Sequence, residues 1–174
     1  MKIKTGVILF FFLALLNAVC AQSDKAKSKK DFWQKVYFGG NMGLQFGTVT
    51  FLDISPLAGY KITEKLSAGV GITYQYFSVK AYHYATERYG GRVFGRFNIT
   101  ENLFAYTEYE LLNIGIGGTP EKRINIANVF VGGGYSQPLG AKSSLNVLVL
   151  WNINESVYSP YQNPIIRAGI NIGL

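Results

Sequence analysis

Apolar and polar residues alternate with a period of two through most of this chain, and no other feature constrains its fold as strongly. In one such stretch Leu66, Ala68, Val70, Ile72, Tyr74 and Tyr76 oppose Ser67, Gly69, Gly71, Thr73 and Gln75. In another, Leu103, Ala105, Tyr109 and Leu111 oppose Tyr106, Glu108 and Glu110. Successive side chains of a strand point to opposite faces, so the pattern predicts extended backbone with one apolar side. Eight segments carry it, near 36–46, 52–62, 66–76, 88–99, 103–111, 127–136, 144–154 and 166–174. Two places strain the scheme. Pro56 lacks an amide donor for a ladder, and Leu148 and Leu150 fall on the polar face of the seventh segment.

A repeated corner sets the connections. Tyr60-Lys-Ile-Thr-Glu-Lys-Leu66 is echoed 37 residues later by Phe97-Asn-Ile-Thr-Glu-Asn-Leu103. A looser copy runs from Tyr135 through Pro138-Leu139-Gly140 to Leu145. Each copy is an aromatic, a short polar corner and an apolar return, which describes a tight hairpin. Eight antiparallel strands joined in this way predict an all-β, up-and-down barrel.

Composition decides which face of that barrel meets water. A soluble ligand-carrying barrel turns its apolar face inward and covers its outside with Lys and Glu. Here only 16% of residues are charged, and the second face is mostly Gly, Ser, Thr, Asn and Gln. That suits a narrow lumen, while the nearly unbroken apolar face suits lipid. A closed sheet also pairs every backbone group internally, as a bilayer requires. The expectation is therefore an eight-stranded antiparallel transmembrane β-barrel. Outward aromatics should form two rims, with Tyr60, Phe97 and Tyr135 at the short-turn end. Tyr74, Tyr76, Tyr89, Tyr109 and Trp151, with Phe46, should lie toward the other end. Longer connections are expected there, near 80–87, 115–124 and 155–163.

The N-terminus reads as an address. Lys2 and Lys4 precede an apolar run from Val7 to Leu16, and small residues follow up to Ala21. This describes a secretory signal peptide over 1–21, too short to span a membrane as a helix. Cys20 raises a lipoprotein reading, but Asn17, Ala18 and bulky Val19 precede it instead of a Leu followed by small residues. Losing Lys2 and Lys4 leaves 15 basic against 10 acidic residues. Residues 22–32 then form a basic periplasmic tether, and 33–174 the barrel. The charge is too sparse and scattered for a nucleic-acid surface.

On Gly39-Gly-Asn-Met-Gly43, Leu66-Ser-Ala-Gly-Val-Gly71 and the repeated corners, the chain resembles the small eight-stranded outer-membrane barrels. These include the OmpX and OmpA-membrane-domain type and the short barrel proteins of Bacteroidota. The resemblance covers essentially the whole chain beyond residue 21. It implies a Gram-negative outer membrane, insertion by the barrel assembly machinery, and periplasmic termini. Members often end in an aromatic residue, whereas this chain ends Ile170-Asn-Ile-Gly-Leu174.

An eight-stranded barrel has just enough interior to be filled by side chains. A three-residue corner at Thr100–Asn102 puts Arg92 opposite Glu110 and Arg96 opposite Tyr106, with Glu108 diagonal to both arginines. Together with Arg167, these six residues are expected to form a lumen ionic network facing a glycine-lined wall. A plug of satisfied charges and a narrow gated path are both compatible with that set. His83, with Ser78 and Glu87 nearby, is the one candidate for barrel-embedded lipid A chemistry, since a Ser nucleophile needs a base. The spacing differs from the deacylase pattern, in which His and Ser lie two apart on one strand face. No metal-ligand cluster or phosphate loop is present, so neither catalysis nor a cofactor is expected. Tyr82, His83, Tyr84, Arg88, Lys122, Arg123, Tyr158 and Tyr161 remain as external residues. They suit an extracellular ligand, lipopolysaccharide phosphates, or anchoring at the headgroup level.

Overall fold

The computed structural model describes residues 32–45, 49–79, 84–115, 123–154 and 156–173. Its larger compact unit runs from Trp33 to Leu174. The signal segment and all of the tether before Phe32 lie outside the described residues. Eight strands follow one another: β1 (Val36–Gln45), β2 (Val49–Lys61), β3 (Leu66–Val79), β4 (Tyr84–Asn98), β5 (Leu103–Gly115), β6 (Arg123–Pro138), β7 (Ser143–Asn152) and β8 (Ile165–Gly173). Each pairs antiparallel with the next, and β1 pairs with β8 from Tyr37↔Gly173 to Asn41↔Gly169. The sheet is a closed up-and-down barrel, with every strand hydrogen-bonded on both sides.

The repeated corner folds the same way twice. Thr63 Oγ1 accepts the Leu66 N–H at 2.9 Å, and Thr100 Oγ1 accepts the Leu103 N–H at 3.0 Å. The N–H groups of Ile62 and Ile99 donate to the carbonyls of Leu66 and Leu103. A threonine that hydrogen-bonds its own corner is the local reason this sequence turns here.

Alternation then sorts the side chains. Along β5 and β7, burial changes residue by residue. Met42, Val70, Ile72, Val93, Leu111 and Ile166 are exposed on the outside. Phe94, Phe104, Leu112, Phe130 and Leu150 are buried inside.

Leu148 and Leu150, the misfits of the polar face, are lumen core. They pack in one cluster with Tyr37, Phe94, Phe104, Tyr106 and Phe130. The lumen is therefore closed by an apolar layer as well as by polar groups, a correction to the purely polar plug. Glycines make this possible, because each faces a large residue across a ladder. Tyr37 is paired with Gly59, Phe94 with Gly69, Phe104 with Gly134 and Leu150 with Gly132. A Cβ on Gly69 would lie 2.5 Å from Phe94 Cζ, so the ring occupies the space a side chain would need.

Pro56 is accommodated without a register slip. β2 and β3 pair up to Ile54↔Tyr74 and resume at Leu57↔Gly71, with no pairs between. The Ser55 carbonyl beside this gap accepts a hydrogen bond from Arg92 Nη2 at 2.8 Å. A side chain thus supplies a donor at the break.

Several strands outrun the expected segments. β4 begins at Tyr84, so the connection expected at 80–87 is partly ladder, with Ser78 paired to Ala85 and Glu87 to Tyr76. β5 continues to Gly115 and β6 begins at Arg123. Backbone pairing persists past the point where the apolar pattern fades, because a ladder needs only amides and carbonyls.

Candidate functional site: the barrel interior

Glu108 is the centre of the interior. Its side chain is fully buried, and Arg167 Nη1 lies 2.7 Å from Oε1 while Arg92 Nη1 lies 3.6 Å from Oε2. The Tyr106 hydroxyl also donates to Oε2, at 2.8 Å. β4, β5 and β8 deliver these groups, and two guanidiniums and a phenol converge on one carboxylate. Arg167 also lies 4.8 Å above the Phe130 ring. Charges this deep persist only when they are paired and hydrogen-bonded.

Glu110 departs from the expected pattern. It stands opposite Arg92 in the β4–β5 register, yet Arg92 pairs with Glu108. Glu110 instead accepts from Thr73 Oγ1 at 2.8 Å and from Asn128 Nδ2 at 3.3 Å. Asn152 Nδ2 extends the chain by donating to Asn128 Oδ1 at 2.9 Å. The reason is reach: Arg92 bends toward the Pro56 gap, where the Ser55 carbonyl accepts from its second amino group.

Arg96 is not part of the ionic network. Its Nε donates to Asn98 Oδ1 at 3.0 Å and its Nη1 to Asn146 Oδ1 at 3.2 Å. Its guanidinium lies 3.8 Å over the Phe104 ring. The expected contact with Glu108 is blocked, since Phe94, between the two arginines on β4, stacks on Tyr106 at 5.6 Å.

The β7–β8 connection enters the barrel. Tyr161, expected among the external residues, packs edge-on against Phe130 with ring centroids 5.1 Å apart, and Gln75 Nε2 donates to its hydroxyl at 3.3 Å. Ser159 Oγ donates to Asn128 Oδ1, and Asn163 Oδ1 accepts the Asn152 N–H at 2.7 Å. Sequence reasoning missed this inner layer, although Thr73, Gln75, Asn128 and Asn152 all fall on polar faces. Nothing in the alternation says that a connection folds inward.

Among the other expected residues, Arg88 lies over Phe77 and Arg123 over Tyr89, while Tyr158 is exposed. Tyr82, His83 and Lys122 lie outside the described residues, as does the side chain of Tyr84. Phe97, Tyr135, Tyr74, Tyr89 and Trp151 point outward and are exposed, and Tyr60 and Tyr76 are partly so. Tyr109 is exposed but pairs with Val93 and Val129, midway along β5. It sits in the apolar band instead of the rim, because β5 runs on to Gly115. Among the described residues, no three of His, Cys, Asp and Glu come together as a metal site.

No protein-family model matches this chain, and neither does any curated protein. Solved structures similar to it include the following two. One is a chain from the de novo design of transmembrane beta-barrels, 14% identical, covering 81% of this chain and 96% of that one, with a TM-score of 0.42. The other is the N-terminal beta-barrel domain of Pseudomonas aeruginosa OprF, 12% identical, covering 80% and 96%, with a TM-score of 0.45.

Proposed function

We propose that this chain is an integral outer-membrane barrel with a structural or surface-interaction role, its lumen sealed by its own side chains. The carrying observation is the outer face. Met42, Val70, Ile72, Val93, Ile166 and Ile172 are each more than half exposed, and comparable residues recur around the barrel. In water such a continuous apolar belt drives aggregation, whereas in a bilayer it is the solvated surface. On this reading the short turns and both termini face the periplasm. The partners are outer-membrane lipid and lipopolysaccharide, the barrel assembly machinery during insertion, and any extracellular ligand of the far connections.

The sealed interior supports structure over conduction. Leu112, Phe130, Leu150, Glu108 and Glu110 have essentially no exposed surface, which favours a filled lumen over a narrow porin. Membrane fractionation with heat-dependent gel mobility tests the location. Recovery in the membrane fraction with a fast-migrating unboiled band is the expected result, and recovery as a soluble periplasmic protein overturns it. Unchanged lipid A mass spectra on loss of the gene are expected if the chain does no lipid chemistry.

A further inference from the structure

The two ends of the interior are closed differently. Toward the β7–β8 connection, Tyr161 and Ser159 fill the mouth. Toward the short turns, the interior opens into a cavity of about 420 Å³. Lys61, Arg96 and Lys142 line it together with Ser67, Asn98 and Asn171, and no Asp or Glu does.

Arg96 is the fixed element of this vestibule. Its partners are the neutral oxygens of Asn98 and Asn146 and the face of Phe104. The two buried carboxylates are committed elsewhere, Glu108 to Arg92 and Arg167 and Glu110 to Thr73 and Asn128. Among the described residues, then, no carboxylate pairs with this partly buried cation. Two further lysines raise the local positive potential, and a half-desolvated cation gains most from an anion brought to it. The apolar cluster of Phe94, Phe104 and Leu148 lies beyond, so a ligand entering from the turns meets a dead end.

We infer that this vestibule binds a soluble, multiply charged oxyanion, held by the planar donors of Arg96 and by Lys61 and Lys142 at the rim. An oxyanion matches a fixed guanidinium fork flanked by mobile ammonium groups. The ligand is soluble because inward-facing strand residues and the β6–β7 turn at Gly140–Lys142 wall the cavity, with none of the most exposed outer-face residues among them.

The test uses the full chain folded in a nonionic detergent, titrated with pyrophosphate and with citrate at low salt by calorimetry. One saturable site for at least one of them is expected, weakening as NaCl is raised. The double variant Lys61→Gln/Lys142→Gln should lose about tenfold in affinity. Lys65→Gln, in a short turn at the same end but outside the cavity, should bind as the parent does. Both variants change exposed side chains, and the heat-modified band verifies their fold. Absence of binding by both anions, or an equal loss in Lys65→Gln, overturns the inference. Displacement of the bound anion by phosphatidylglycerol added to the micelles would assign the cavity to a lipid headgroup and overturn a soluble ligand.

Discussion

Arg167 on β8 and Glu108 on β5 meet across the barrel interior, with Nη1 2.7 Å from Oε1 and the carboxylate shielded from solvent. Arg92 approaches the other oxygen of the same group. This one carboxylate therefore balances two buried guanidiniums drawn from two other strands. Glu108→Gln takes from Arg92 its carboxylate and from Arg167 the one it hydrogen-bonds, and removing one member of a buried ion pair costs about 3–5 kcal/mol. Glu110→Gln should cost less, about 1–2 kcal/mol, because its hydrogen-bond donors Thr73 and Asn128 are neutral, an amide oxygen can still accept from Thr73, and Arg167 keeps its closer partner Glu108. Urea midpoints for folding into phosphatidylcholine vesicles rank the two. Equal losses would mean that the network is not centred on Glu108.

The glycine wall makes a steric prediction. A Cβ at Gly69 would lie 2.5 Å from Phe94 Cζ and 2.3 Å from the Ala58 carbonyl. Gly69→Ala should destabilise the barrel by about 1–3 kcal/mol through overpacking. Gly91 meets nothing within 4 Å, so Gly91→Ala should be neutral or slightly stabilising. The same urea titration reads both variants, and a neutral Gly69→Ala would show that both the Phe94 ring and the β2 backbone at Ala58 can move aside.

What the sequence made legible was whatever depends on backbone periodicity. Alternation located all eight strands, and the Ile-Thr-Glu corner carried the register far enough to pair Arg92 with Glu110. It did not carry the side-chain partners. Arginine is long enough to choose among acceptors several ångströms apart, and Arg92 is drawn by the Ser55 carbonyl on another ladder. Leu148 and Leu150 looked misplaced because a lumen was read as polar, whereas glycines on β6 leave room for apolar bulk. Tyr161 was hidden for a different reason. A connection has no period, so only the unfilled space and the polar groups at the barrel mouth could have signalled its entry.

The bilayer reading makes its own stability prediction. Ile72 lies midway along β3 on the outer face and is 62% exposed. In a membrane, Ile72→Arg should cost about 2–4 kcal/mol, the range for a cation near the midplane of a lipid-facing strand. On a soluble barrel the same change would be harmless or would improve solubility. Vesicle-folding midpoints in phosphatidylcholine measure the effect, and a loss below about 0.5 kcal/mol would argue that this surface does not contact lipid.

The inward connection supplies the last prediction. Tyr161 stacks edge-on with Phe130 and anchors a segment that Asn163 ties to Asn152. Tyr161→Ala removes the ring contact and the hydroxyl that Gln75 reaches. The segment should then leave the mouth more readily, so protease cleavage between Asn152 and Ile165 should accelerate by about tenfold in protein folded into phosphatidylcholine vesicles. The barrel itself should stay shut in planar bilayers, because Phe130, Leu150 and the Glu108 network lie beneath the plug and remain in place. Faster cleavage without conductance fits a lid over a solid interior. A conducting Tyr161→Ala barrel would instead make this tyrosine the gate of a channel.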